Sequence, residues 1–155
     1  MELQYLQRAI ALAVRNVQAG TGGPFGAVIT RNGVVISEAG NAVTTSCDPT
    51  AHAEVNAIRA ASLALGTFDL AGCEIYSSCE PCPMCLGAIY WAHLDRVYFA
   101  ATRHDAALGG FDDRLIYDEF AADSSRRRIP LLHVPRPDAR APFEAWWQRT
   151  DRVPY

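Results

Sequence analysis

No stretch of this sequence is apolar for long enough to cross a bilayer. Residues 1–20 do not read as a secretory leader either, because Glu2 opens them and charged and amide side chains recur throughout. A cytoplasmic protein is the expectation. Repeats, low-complexity tracts and linkers are also missing, so residues 1–155 are expected to form one domain with its own core. There is no excess of positive charge: 14 Lys and Arg face 17 Asp and Glu, for a net charge of −3. That balance argues against a chain whose main task is gripping phosphate backbones. The five cysteines make an odd number, which a secreted disulfide scaffold would avoid. Thiols kept reduced serve as ligands, nucleophiles or small core residues. What remains is ordinary globular material, half apolar and one fifth charged.

The order of elements can be read from periodicity. Leu3, Leu6, Ile10, Ala13, Val14 and Val17 recur at helical spacing, and Gly20 stands where a C-terminal cap belongs. Two apolar runs flank Asn32-Gly33 and read as a hairpin. Asp48-Pro49 reads as the start of a helix that runs to Leu65 and stops at Gly66. Residues 73–78 read as a strand. A helix begins between Pro81 and Pro83 and runs through Trp91. Residues 96–101 and 129–134 read as the fourth and fifth strands, and Pro142 opens a last helix. Helices alternating with the later strands imply parallel pairing and helices on both faces of a sheet.

Two short stretches carry chemistry: residues 50–55 (TAHAEV) and 78–86 (SCEPCPMCL). A catalytic zinc needs three protein ligands and an open position for water. His52, Cys82 and Cys85 supply that number, and a helix start favours the ligating thiolate. Glu54, two residues from His52, can carry a proton without binding the metal. Taken alone, the Cys82/Cys85 pair also fits a redox dithiol or half of a structural zinc site. A structural site takes four ligands, and the only further donor nearby is Cys79, in the strand-to-helix turn. The combination His52-Ala53-Glu54…Pro81-Cys82-Pro83-Met84-Cys85 is the signature of zinc nucleobase deaminases.

On those residues the sequence resembles the cytidine deaminase-like superfamily over most of its length. Glu80 to Ala92, Gly22 to Ile29 and Gly109 to Asp113 resemble its bacterial guanine deaminases. So does the C-terminal stretch Pro142-Phe143…Tyr155, which lacks a basic helix. The resemblance implies an α/β fold, a three-layer α/β/α sandwich with a mixed five-stranded sheet. It implies one Zn²⁺ per chain and hydrolysis of a C–N bond in a cyclic amidine, guanine to xanthine and ammonia. A homodimer is also implied, with residues 136–155 a helix and tail over the pocket. Two alternatives share the metal motif: a tRNA adenosine deaminase, and a deaminase of another small amino-heterocycle such as cytosine, a triazine or a modified purine.

Candidate base-binding groups follow from the same reading. Asn41 offers a donor and an acceptor; Asp113 can accept from a ring N–H and an exocyclic amine together. Phe25 and Trp91 can pack on the ring. The Ala53 backbone can hold the base in plane, Glu80 can relay protons or orient the ring, and the resemblance folds Tyr155 over the pocket. By spacing alone each has a plainer reading: Asn41 a turn, Asp113 a helix cap, Phe25 and Trp91 core, Tyr155 a frayed end.

Overall fold

The computed structural model describes residues 2–155. It divides into two compact units, one reaching Arg114 and the other Leu115–Tyr155.

The first unit is built on a mixed four-stranded sheet in the order β2-β1-β3-β4. Its strands are β1 (Gly26–Arg31), β2 (Val34–Gly40), β3 (Cys73–Cys79) and β4 (Arg96–Ala101). β1 pairs antiparallel with both β2 and β3, whereas β3 and β4 run parallel. The hairpin forms where the sequence places it. Asn32 and Gly33 both take positive φ, 50° and 75°, the backbone that a tight turn between right-twisted strands requires.

Side chains alternate across this sheet and define two cores. Val28 and Tyr76 face α1 (Leu3–Gln18), where Tyr5 and Ala9 meet them. Ala27, Ile29, Cys73 and Ile75 face the opposite way, toward α3 (Ala53–Leu65) and α4 (Pro83–Trp91). Helix, sheet and helix therefore make the α/β/α sandwich. α3 approaches closely because Ala53, Ala57 and Ala61, one turn apart, are all fully buried. A larger side chain at Ala57 would overpack that interface by about 1–3 kcal/mol. On α1 the buried stripe is Tyr5, Ala9 and Ala13 rather than the branched residues of the periodic pattern. Ile10, Val14 and Val17 instead line an apolar groove of about 560 Å³ with Phe25, Ala100 and Phe111.

Two expectations need correction, and with the first the expected five-stranded sheet becomes four-stranded. Residues 129–134 do not form a fifth strand. Pro130 lies within the run and Pro135 directly follows it, so one backbone donor is missing inside the run and the next at its end, and a strand exists only through ladder hydrogen bonds. The helix expected from Asp48 begins at Ala53. Asp48 Oδ1 instead accepts from the Thr50 backbone N–H at 2.8 Å, a local turn that competes with the helix. A separate short helix, α2 (Val43–Ser46), precedes that turn.

Beyond β4 comes α5 (Arg103–Leu108), which the sequence pattern did not announce. Thr102 and Asp105 form a reciprocal capping box at its start. The second unit contains nearly all of α6 (Arg114–Ala121), a single 3₁₀ turn (Ser124–Arg126) and α7 (Ala141–Gln148). None of the helices is long and apolar enough to span a membrane, among the described residues.

Candidate active site

Two helix beginnings define the site. His52 is the N-cap of α3 and Cys82 the N-cap of α4. Pro83 occupies the first turn of α4, where its missing N–H costs nothing. Cys85 lies one turn in and is fully buried. His52 Nδ1 stands 3.6 Å from Cys82 Sγ and 3.5 Å from Cys85 Sγ. All three donor atoms lie within 4.8 Å of one another.

These distances test whether a metal fits. Zn–S bonds of about 2.3 Å and a Zn–N bond of about 2.0–2.1 Å at a tetrahedral angle separate S from N by about 3.6 Å. The observed gaps match, and two thiolates with one imidazole are zinc's preferred chemistry. The thiols are already polarised. The neighbouring Cys85 thiol, and then His52, pull Cys82 down to about 4 against the cost of burial. Cys85 is pushed up by its contact with Cys82, by burial and by Glu54. His52 is raised above its ordinary value, chiefly by its contact with Cys82. Cys79 is not in the cluster: its Sγ lies 3.5 Å from the Thr102 carbonyl oxygen.

Glu54 sits in the first turn of α3 and is only 4 % exposed. Burial pushes its carboxyl above the usual range, opposed by hydrogen bonds from its own backbone, from Ser77 and from Cys85. Ser77 Oγ donates to Oε1 at 3.0 Å, and Oε2 is 3.4 Å from Cys85 Sγ. The carboxyl therefore borders the donor cluster at Cys85 without being part of it.

Asn41, directly after β2, is 7 % exposed. Its Oδ1 accepts from the backbone N–H of Gly23 and of Val43, both at 3.2 Å. With the oxygen engaged, Asn41 offers its NH₂ to a ligand rather than both functions. The Gly22-Gly23 backbone packs against Asn41 so closely that a Cβ at Gly22 would collide with its carbonyl. Asn16 on α1 binds the two segments together, Nδ2 donating to the carbonyl oxygens of Gly23 (2.8 Å) and Asn41 (2.7 Å).

Asp113 is half-buried. Its carboxyl is raised by burial and then by the negative Cys82, with Arg103 opposing. Phe25 meets Phe111 edge-on with centroids 5.0 Å apart. Ala53 is fully buried at the start of α3. Glu80 Oε2 accepts from the Arg103 backbone N–H at 3.0 Å. Trp91 is 65 % exposed at the far end of α4 from Cys82, and the structure does not bring it to the donor atoms. Tyr155 lies in the second unit and is exposed. Sequence reasoning missed Ser77 and Asn16, whose partners are long-range and leave no periodic signal.

A family model for the cytidine and deoxycytidylate deaminase zinc-binding region matches residues 1–101. Guanine deaminase of Bacillus subtilis (strain 168) is 52% identical over 151 residues, 97% of this chain and 97% of its own. An X-ray structure of guanine deaminase from Bacillus subtilis matches with a TM-score of 0.97 and 50% identity, covering 100% of this chain and 99% of that one. The tRNA-specific adenosine deaminase of Bacillus subtilis (strain 168) is 36% identical over 115 residues, 74% of this chain and 71% of its own. With a metal-binding trio that fits zinc and near full-length similarity, the chain belongs to the zinc-binding cytidine and deoxycytidylate deaminase family, on its guanine deaminase branch.

Proposed function

We propose that this protein hydrolyses guanine to xanthine and ammonia. The observation that carries this reading is the placing of the Glu54 carboxyl beside three donor atoms that fit zinc, in a chain 52% identical over 97% of its length to a guanine deaminase.

His52 Nδ1, Cys82 Sγ and Cys85 Sγ would hold the metal. When bound, zinc supplies a Lewis acid that lets water lose a proton near neutral pH. Glu54 takes that proton on its carboxylate and delivers it to ring N3 as the water oxygen bonds to C2. It then takes the remaining proton from the new C2 hydroxyl and passes it to the amine, which leaves as ammonia as the C2 carbonyl forms. Its raised carboxyl suits a group that must hold a proton and give it back. Asn41 donates its NH₂ to an acceptor on the base edge. Asp113 accepts from N1–H and the exocyclic amine, a donor pair that adenine lacks. Phe25, held edge-on by Phe111, walls the ring, while the Ala53 backbone and Glu80 orient it.

Further assignments rest on the resemblance: a cytoplasmic homodimer that does not bind nucleic acid, with Tyr155 closing over the base from its own chain or a second copy. The apolar groove on α1 and β4 supports association. Light scattering tests the dimer, and deletion of residues 136–155 tests the tail through a raised KM.

The deciding experiment is ammonia release by zinc-assayed protein against guanine, adenine, cytosine, cytidine, guanosine and a tRNA anticodon hairpin in parallel. Turnover of guanine alone is expected. Turnover of the hairpin, or of another base in preference, overturns the substrate.

A further inference from the structure

Ser77 is a serine in a row built otherwise of less polar side chains. Along β3, Cys73, Ile75, Ser77 and Cys79 alternate onto one face, and Cys73 and Ile75 pack there with Ala27, Ala53 and Ala57. The pleat calls for another apolar group at position 77, and an alanine or valine would satisfy it. Ser77 is instead a hydroxyl only 1 % exposed. A buried hydroxyl is costly unless it is partnered, and the partner here is Glu54 Oε1 at 3.0 Å.

The two oxygens of Glu54 thus have different surroundings. Oε1 is held by Ser77, while Oε2 is 3.4 Å from Cys85 Sγ. The last torsion of a glutamate is broad and does not by itself set the plane of the carboxylate. We propose that Ser77 is a positioning residue for Glu54. By donating to Oε1 it sets the carboxylate plane, so that Oε2 is the oxygen turned to the metal donors and the one that carries the travelling proton. The inference rests on the reading of Glu54 as the proton carrier of the deaminase.

The test uses zinc-loaded Ser77→Ala and Ser77→Thr beside the wild type. Four quantities are read: kcat and KM for guanine, zinc per chain, Tm, and the Glu54 rotamer in crystals. Ser77→Ala should lower kcat roughly tenfold to a hundredfold, the range expected for a hydrogen bond to a charged group. KM should stay within about twofold and zinc content should not change, because Ser77 touches neither base nor metal in this scheme. The Glu54 carboxylate should be rotated or split between orientations. Ser77→Thr keeps the hydroxyl and should recover most of kcat. An unchanged kcat in Ser77→Ala, an unmoved Glu54, or Ser77→Thr worse than Ser77→Ala would each overturn the inference and mark the site as a packing constraint. A wild-type protein that fails on guanine overturns the substrate reading instead, and the crystallographic comparison then decides the role of Ser77 alone.

Discussion

The side-chain amide of Asn16 donates to the carbonyl oxygen of Asn41 across 2.7 Å. The same nitrogen holds the Gly23 carbonyl at 2.8 Å. A residue on α1 thereby fixes the wall on which Asn41 is displayed. Asn16→Ala should cost about 1–2 kcal/mol, since two carbonyls lose their donor. KM for guanine should rise several-fold with kcat and zinc content little changed. Steady-state kinetics with urea unfolding checks both effects; an unchanged KM would confine Asn16 to stability.

Cys82→Ser removes one donor of three. Zinc per chain should drop well below one, and activity should fall with it, because a hydroxyl does not replace a thiolate toward this ion. Chelation of the wild type should abolish turnover, and added zinc should restore it. Metal analysis beside the activity assay reads the outcome. A fully metallated, active Cys82→Ser protein would take Cys82 out of the site.

Glu54→Gln preserves shape and removes the proton carrier. Zinc should stay bound while kcat falls about 10²- to 10⁴-fold, the usual contribution of general acid–base catalysis. Turnover at the wild-type rate would end the shuttle role. Loss of zinc would instead make Glu54 part of the metal's support.

The start of α5 supplies a pH test away from the metal. Hydrogen bonds from the Thr102 hydroxyl and then its backbone N–H hold the Asp105 carboxyl below the ordinary range. A carboxyl depressed by folding stabilises the native state above its unfolded pKa, and that contribution is lost as pH falls through the folded value. The Tm difference between wild type and Asp105→Asn should therefore be full above about pH 5 and shrink below about pH 4. A difference constant across that range would mean that the charged form has no preferred partner.

The metal trio was legible because its signal is local. A histidine and a Cys-x-x-Cys beside prolines near helix beginnings state their geometry within a few residues; Cys82 is the N-cap of α4, and His52, expected inside a helix begun at Asp48, is itself the N-cap of α3. The Asn32-Gly33 turn was legible for the same reason. Residues 129–134 misled because apolar content was read as a strand without asking what would pair with it. The helix start at Ala53 was missed because Asp48 turned its side chain to Thr50. Ser77 and Asn16 were invisible: their hydrogen bonds span 23 and 25 residues, and no spacing rule joins such positions.

The mounting of His52 and Cys82 at the tips of α3 and α4 has a consequence for how such a protein can change over time. The donors are anchored through helices rooted in the core, where Ala53, Ala57 and Ile89 are buried. Apart from the Ala53 backbone and Glu80, the groups expected to read the base lie elsewhere, at residues 22–25, at Asn41 and at Asp113. Selectivity can therefore be rewritten in the loops while the hydrolytic apparatus stays in place. An inherited change of diet for the enzyme is a matter of short segments rather than of a new scaffold.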